Sequence, residues 1–353
     1  MFKKGKEMTK GDFYTKCLIE EILEDGCLDK YPRPKYKDDT PAHTLSINHK
    51  MLSYDLNKGE FPIITLRPIA TKSAIGELLW IYQDQSSNLY LLETKYNVRW
   101  WREWCINPYH YNENGELIEG ANPYKNEGFY YDCEGKKINL EMKSDTVDVK
   151  TDIDKNENII DYVRGNVLTK DASIGQVYGN TVAGHNLANN LLNTIKNDPD
   201  GRRHIMNMWQ EDDFLQPHGL KPCAFMTNFN VRHGKDGVDY LDMILYQRSS
   251  DFLAAGAINQ VQYVVLQHLF ARHLGYTPGK FSWVVANMQI YDRHVEAAKT
   301  LLNRDTVECT PSVWINPEKT NFYDMTVDDI KIIDYPTDII KIVNPQVKLE
   351  IAI

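Results

Sequence analysis

The chain has 353 residues, is 42% hydrophobic and 25% charged, and carries a formal net charge of −9, a composition that provides for an ample globular core in one large domain or two. The acidic balance argues against a general nucleic-acid or membrane-surface binder, so an anionic ligand needs a local arginine cluster. Six scattered cysteines (Cys17, Cys27, Cys105, Cys133, Cys223, Cys309) form no C-x-x-C pair. With no leader-like N-terminus and no apolar run of membrane-spanning length, they predict a cytoplasmic protein without a metal site.

In chain order, Thr9-Lys10-Gly11-Asp12 reads as a variant capping box. Tyr14, Cys17, Leu18, Glu21 and Ile22 continue a helix that Asp25-Gly26 ends. The stretch from Tyr31 to Asp39 is a charged, proline-rich loop, and Thr44 to Asn48 alternates as a strand. Phe61 to Leu66 suits a buried strand or turn. Lys72 to Gln83 reads as an amphipathic helix with Ile75, Leu78, Leu79 and Tyr82 on one face and Glu77 beside them. Trp100, Trp101 and Trp104 crowd a segment shared with Arg99, Arg102 and Glu103, polar company for three indoles.

From Ile106 to about Asp171 the chain is rich in Asn, Gly, Tyr and Lys and has little helical period. It reads as an insertion with a short strand or two, such as 137–140. Helices are expected over His185 to Asn197, Ala257 to His273 and Arg293 to Leu302, the second closed by Gly275. Strands are expected over His204 to Trp209, Val284 to Ile290 and Pro345 to Ile353, and a second capping box at Thr326 to Asp329.

The chemistry concentrates in one hairpin. Phe225 to Val231 alternates as a half-buried strand, His233 to Gly237 supplies glycines for a turn, and Val238 to Tyr246 returns. That brings Cys223 close to Arg248, with Ser249, Asp251 and Asn259 just beyond. A lone cysteine on an apolar strand is usually an inert buried thiol, but a guanidinium beside a thiol favours the nucleophilic thiolate.

The whole string resembles the thymidylate synthase family: Pro222-Cys223, then Gln247-Arg248-Ser249-x-Asp251, then Asn259, with Gly201-Arg202-Arg203-His204-Ile205 upstream. Gly76-Glu77-Leu78-Leu79-Trp80 and Gly175-Gln176-Val177-Tyr178-Gly179 match further motifs, so the resemblance runs from about Gly11 to Ile353. It implies an α/β (α+β) fold with a large mixed sheet whose face forms a homodimer interface. Residues 1–353 would then be a single domain carrying the insertion at about 106–171. It also implies reductive methylation of dUMP to dTMP, with 5,10-methylenetetrahydrofolate as one-carbon donor and reductant.

Under that resemblance Cys223 is the nucleophile, and Arg248 activates it and binds phosphate with Ser249. Arg202 and Arg203 serve the partner subunit's phosphate, Asn259 reads the uracil edge, and Tyr291 holds the deoxyribose. Glu77 and Tyr178 manage proton transfers; Trp101, Trp104 and Asp251 face the folate; and Ala352-Ile353 belongs to a mobile end that closes over the site. Neither a membrane nor a nucleic acid is implied.

The chain also departs from the family. Ala224 follows the cysteine where a histidine is common, and Gln289 replaces a sugar-binding histidine. Ala254-Ala255 stands for a folate-side L-G, and Ala257-Ile258 precedes Asn259 in place of P-F. Asp39 occupies the position of an early phosphate-binding arginine, leaving Arg33 or Lys35 as substitutes. A nucleotide hydroxymethylase acting on dUMP or dCMP on the same fold is the nearest alternative; Asn259 points to uracil, and Trp101, as a shield against water, favours methylation. A thiol hydrolase with His233 or His268, and an inactive binding dimer, are weaker readings, since neither histidine has an evident orienting partner and Cys223, Arg248 and Asn259 are intact.

Overall fold

A computed structural model describes residues 8–106 and 172–353, and between them only the strand backbones at 110–111, 117–118, 129–131, 137–139, 150–153, 159–163 and 166–168. The chain divides into two compact units, Met1–Leu78 with Asn186–Trp209 and Cys223–Ile353, and Leu79–His185 with Gln210–Pro222.

The first unit is built on a seven-stranded mixed sheet. Its strands are β1 (Cys27–Leu28), β2 (Thr44–Asp55), β3 (Ile205–Asn207), β4 (Ala224–His233), β5 (Asp239–Gln247), β6 (Ser250–Asp251) and β7 (Thr277–Tyr291). The spatial order is β1-β2-β7-β5-β4-β3, with β6 alongside β7. Antiparallel pairing joins most neighbours, but β5 and β7 run parallel, and a parallel pair needs a long crossover. Helix α3 (Ala257–Leu274) supplies it, closed by Gly275 at φ 81°, where a left-handed residue is required. The β4–β5 turn places Gly237 at φ 78°.

Helix α1 (Lys10–Asp25) starts where the Thr9 hydroxyl accepts the Asp12 N–H at 3.1 Å, and it packs on β2 and on α4 (Val295–Asn303). Helix α2 (Thr71–Tyr82) differs from the amphipathic expectation: every residue from Ala74 through Tyr82 is buried. Ile75 and Leu78 do face inward, but so does Glu77, which is 6% exposed. Phe61 to Leu66 is buried without joining a ladder, and the C-terminal residues from Pro345 form no strand. Both β2 and β7 exceed the strands expected there because they pair with each other from Thr44/Tyr291 to Asp55/Lys280, a long-range ladder that alternation alone does not show.

In the second unit the helices Leu89–Tyr96 and Gly179–Gly184 accompany antiparallel strand pairs of the 107–171 segment, among them Phe129–Tyr131 with Lys137–Asn139. The expected strand at 137–140 is therefore present over its first three residues, and Leu140 lies outside the described ones.

The β5–β7 ladder slips between Leu241/Pro278 and Met243/Phe281. Pro278 has no N–H to donate, and Gly279 brings its backbone so close that a Cβ would lie 1.9 Å from Asp242 Oδ1. Two groups repair the gap. Asp242 Oδ1 accepts the Lys280 N–H at 2.7 Å, and Gln267 of α3 donates Nε2 to the Leu241 and Lys280 carbonyls at 2.7 and 3.0 Å. Gln267 is fully buried. Gln267→Leu removes both hydrogen bonds, together with a buried Oε1 that has no partner among the described residues, and urea unfolding is expected to show a net loss of about 1–3 kcal/mol.

Candidate active site

Cys223 immediately precedes β4 and Arg248 immediately follows β5, so the hairpin's antiparallel register joins them: the Arg248 N–H donates to the Cys223 carbonyl at 3.0 Å. The register slips at Ala224/Met226, a bulge that re-aims the chain beside the thiol. Arg248 Nη2 reaches Cys223 Sγ at 3.4 Å, its guanidinium also lies over the Trp209 ring at 5.8 Å, and Ser249 hydrogen-bonds the thiol.

The expectation that Arg248 makes the thiol acidic is corrected in its net effect. Burial raises the Cys223 pKa above the ordinary thiol value; Arg248, Ser249 and Arg33 each pull it down without prevailing. The side chain keeps some solvent exposure, but its surroundings are mostly protein.

Asn259, on the first turn of α3, is held by a relay whose polarity is fixed. The Trp283 indole can only donate, and it donates to Gln247 Oε1. Gln247 must then present its amide nitrogen, which donates to the Ser249 carbonyl at 3.3 Å and to Asn259 Oδ1 at 3.2 Å. Asn259 Nδ2 donates in turn to Gln262 Oε1 at 3.1 Å, and Gln262 Nε2 donates to the Ala74 carbonyl at 3.3 Å. The other flip of Asn259 would oppose donor to donor. Among the described residues no further partner takes the second Oδ1 lone pair or the second Nδ2 hydrogen. The sequence marked Gln247 only as part of a motif, and Trp283 and Gln262 not at all, since their role depends on long-range contacts.

Asp251 caps a π-helical turn, Phe252–Gly256, by accepting the Ala254 N–H at 3.3 Å. Burial raises its carboxyl pKa, with His294, the Ala254 N–H and Arg67 opposing. Ala254 and Ala255 thus belong to an irregular turn leading into α3. The buried Arg67 fastens it, donating Nη2 to the Leu253 and Ala254 carbonyls at 2.6 and 3.1 Å. Through the parallel register of β6 and β7, Asp251 pairs with Gln289, and Tyr291 ends β7 two residues on. Burial pushes the Tyr291 hydroxyl up to about 12, with Asp251 adding to the rise and Arg33 opposing it.

Asp39 is exposed at φ 63°, and its carboxylate lies 3.9 Å from Lys35 Nζ. Arg33 acts electrostatically on both Cys223 and Tyr291. Arg202 and Arg203 are exposed and lie just before β3.

Within the second unit Trp101 stacks edgewise on Tyr178 at 4.8 Å and on Trp104 at 5.5 Å, with Trp80 at 6.4 Å. Arg102 forms a buried ion pair with Glu93, its Nε donating to Oε1 at 2.5 Å, which accounts for the charge beside the indoles. Tyr178 holds φ 49° and ψ −111°, a strained backbone for a tyrosine. The next residue, Gly179, packs on the Ser86 backbone so tightly that a Cβ would lie 2.0 Å from the Ser86 carbonyl oxygen. Among the described residues no three His, Cys, Asp or Glu side chains gather as a metal site.

A cysteine under a guanidinium, together with an amide of fixed polarity, has the chemistry of an enzyme site that pairs a thiol with a recognised ligand. The family described as thymidylate synthase matches residues 13–352. A thymidylate synthase of Lactococcus lactis subsp. cremoris (strain SK11) is 38% identical over 347 residues, which cover 98% of this chain and 100% of the relative. One of Streptococcus thermophilus (strain ATCC BAA-491 / LMD-9) is 39% identical with the same coverage. The solved thermostable thymidylate synthase A from Bacillus subtilis has a TM-score of 0.71 at 28% identity, covering 98% of this chain and 100% of that one. The chain belongs to the thymidylate synthase family, and it is an enzyme of the methyltransferase class.

The electrostatics at Cys223 set a pH expectation. Since its pKa is raised, the thiolate fraction grows as pH climbs past the ordinary thiol range. Alkylation by iodoacetamide, followed by mass spectrometry, is expected to rise at higher pH than for a free thiol. Removing the positive charge in Arg248→Gln moves that rise higher still, whereas an unchanged profile would show that the guanidinium does not act on the thiol.

Proposed function

We propose that this chain methylates dUMP to dTMP with 5,10-methylenetetrahydrofolate, as a single thymidylate synthase-like domain with an insertion at about 106–171, working as a cytoplasmic homodimer. The observation that carries the reading is the relay of fixed polarity through Asn259, together with a thiol under Arg248. The free Oδ1 lone pair accepts the uracil ring N–H and the free Nδ2 hydrogen donates to the adjacent carbonyl, so the ring is held in one orientation.

The Cys223 thiolate then adds to ring carbon 6, and the electron pair displaced from the 5,6 double bond makes carbon 5 nucleophilic. Carbon 5 takes up the one-carbon unit, for which the folate supplies both the methylene carbon and the hydride. Glu77 and Tyr178 are assigned the proton movements, including loss of the carbon 5 proton, and expulsion of the thiolate restores the ring. Arg248, Ser249 and Arg33 bind the phosphate, with Arg202 and Arg203 of a second subunit; Arg33 takes over for the arginine replaced by Asp39. Tyr291 and Gln289 hold the sugar. Trp101, Trp104, Asp251 and the Ala255 turn are assigned to the folate, and Ala352 to the closing end. The clustered aromatic faces of Trp101 and Trp104 suit a fused heterocycle.

Cys223→Ser is expected to abolish dTMP formation, read by mass spectrometry of the product, while nucleotide binding persists. A hydroxymethylated product from the wild type would overturn the methylation reading. Mixing Arg203→Ala with Cys223→Ser under subunit exchange restores activity only if the arginine crosses between subunits.

Competition between dUMP and dCMP tests the relay. The wild type is expected to prefer dUMP strongly, and Asn259→Asp to relax that preference. Trp283→Phe removes the donor that fixes the amide polarity, and the preference is expected to fall about tenfold, the worth of roughly one unmet buried hydrogen bond. Equal use of both nucleotides by the wild type would show that Asn259 does not read the base.

A further inference from the structure

The corner that follows β7 carries a side chain to which no role has been given. Arg293 donates Nη1 to both carboxylate oxygens of Glu350 at 3.1 and 3.0 Å, and Nη2 to Asp38 Oδ2 and the Thr40 hydroxyl at 2.7 and 2.6 Å. Its guanidinium lies 3.9 Å from the centre of the Tyr36 ring, and the Tyr36 hydroxyl donates to the neighbouring Asp292 carboxylate. Asp38 and Thr40 belong to the loop that begins at Tyr31; Glu350 belongs to the C-terminal tail.

The same loop and tail meet elsewhere. Lys35 and Ile353 exchange two backbone hydrogen bonds at 2.8 and 2.9 Å, and Ala352 packs on Tyr36, Ala42 and Tyr291. The buried His294 ring bonds the Glu350 carbonyl through Nε2 at 2.9 Å. One planar guanidinium with a fixed fork of donors therefore holds two segments far apart in sequence, and a point charge such as lysine's cannot match both.

We propose that Arg293 is a positioning residue that ties the 31–42 loop, which carries Arg33, to the C-terminal tail, so that loop and tail are held as one unit before any ligand binds. It rests on the functional reading above only for its kinetic consequence. With the tail already ordered, closure costs less conformational entropy, so loss of the tie weakens substrate binding more than the chemical step.

The direct test needs no substrate. Carboxypeptidase release of Ile353 and Ala352 from the full chain is expected to be about fivefold faster in Arg293→Gln, the upper range for a partly exposed ion pair. Asp38→Asn is expected to accelerate release as well, although among the described residues Asp38 makes no hydrogen bond to the tail. Arg293→Lys, which can serve one partner at a time, is expected to fall between. Acceleration in Arg293→Gln without acceleration in Asp38→Asn would overturn the tie, because Arg293 would then serve the tail alone; unchanged release in both overturns it outright.

In turnover assays Arg293→Gln is expected to raise KM several-fold with a smaller change in kcat. A fall in kcat at constant KM would assign it to the chemistry instead. A wild type that forms no dTMP would refute the functional reading and leave the release measurements to decide the tie.

Discussion

The parallel pairing of β5 with β7 is the constraint on which the first unit's site depends. Because both strands run the same way, their C-terminal ends fall at one edge of the sheet, and the functional side chains leave from there. Gln247 ends β5 and Arg248 follows it, Asp251 pairs with Gln289, and Tyr291 ends β7. A parallel pair demands a crossover, and the crossover is α3, whose first turn carries Asn259. The hairpin partner β4 then has only to be antiparallel for Cys223 to arrive beside Arg248.

The repair of the bulge at Pro278 and Gly279 acquires its weight from that dependence. Gln267 does not touch the site, yet it bonds carbonyls of both parallel strands. Few polar side chains are fully buried unless they are satisfied or make a specific structural link, and Gln267 makes that link.

Much of this was legible from sequence because it is local. Alternation from Phe225 to Val231, a glycine turn and a returning strand suffice to bring Cys223 and Arg248 together, and Thr9, Gly275 and Thr326 mark their element ends by cap chemistry. What stayed hidden depends on distant partners. Helical period cannot show that Glu77 lies on the buried side of α2, since its cover comes from elsewhere in the fold. Alternation from Pro345 onward resembles a strand, but the tail finds its partners in Lys35, Arg293 and His294 and joins no sheet. Arg248 does pull the Cys223 pKa down as sequence order suggests, but the larger opposing effect of burial was hidden, because desolvation requires the packed surroundings.

A thiol whose pKa lies above the ordinary value spends most of its time protonated at neutral pH. Peroxide, like an electrophilic substrate, reacts with the thiolate, and oxidation proceeds through the sulfenic acid. The burial that holds back the nucleophile's ionisation therefore works against its oxidation too: one desolvated setting slows both reactions of the resting thiol.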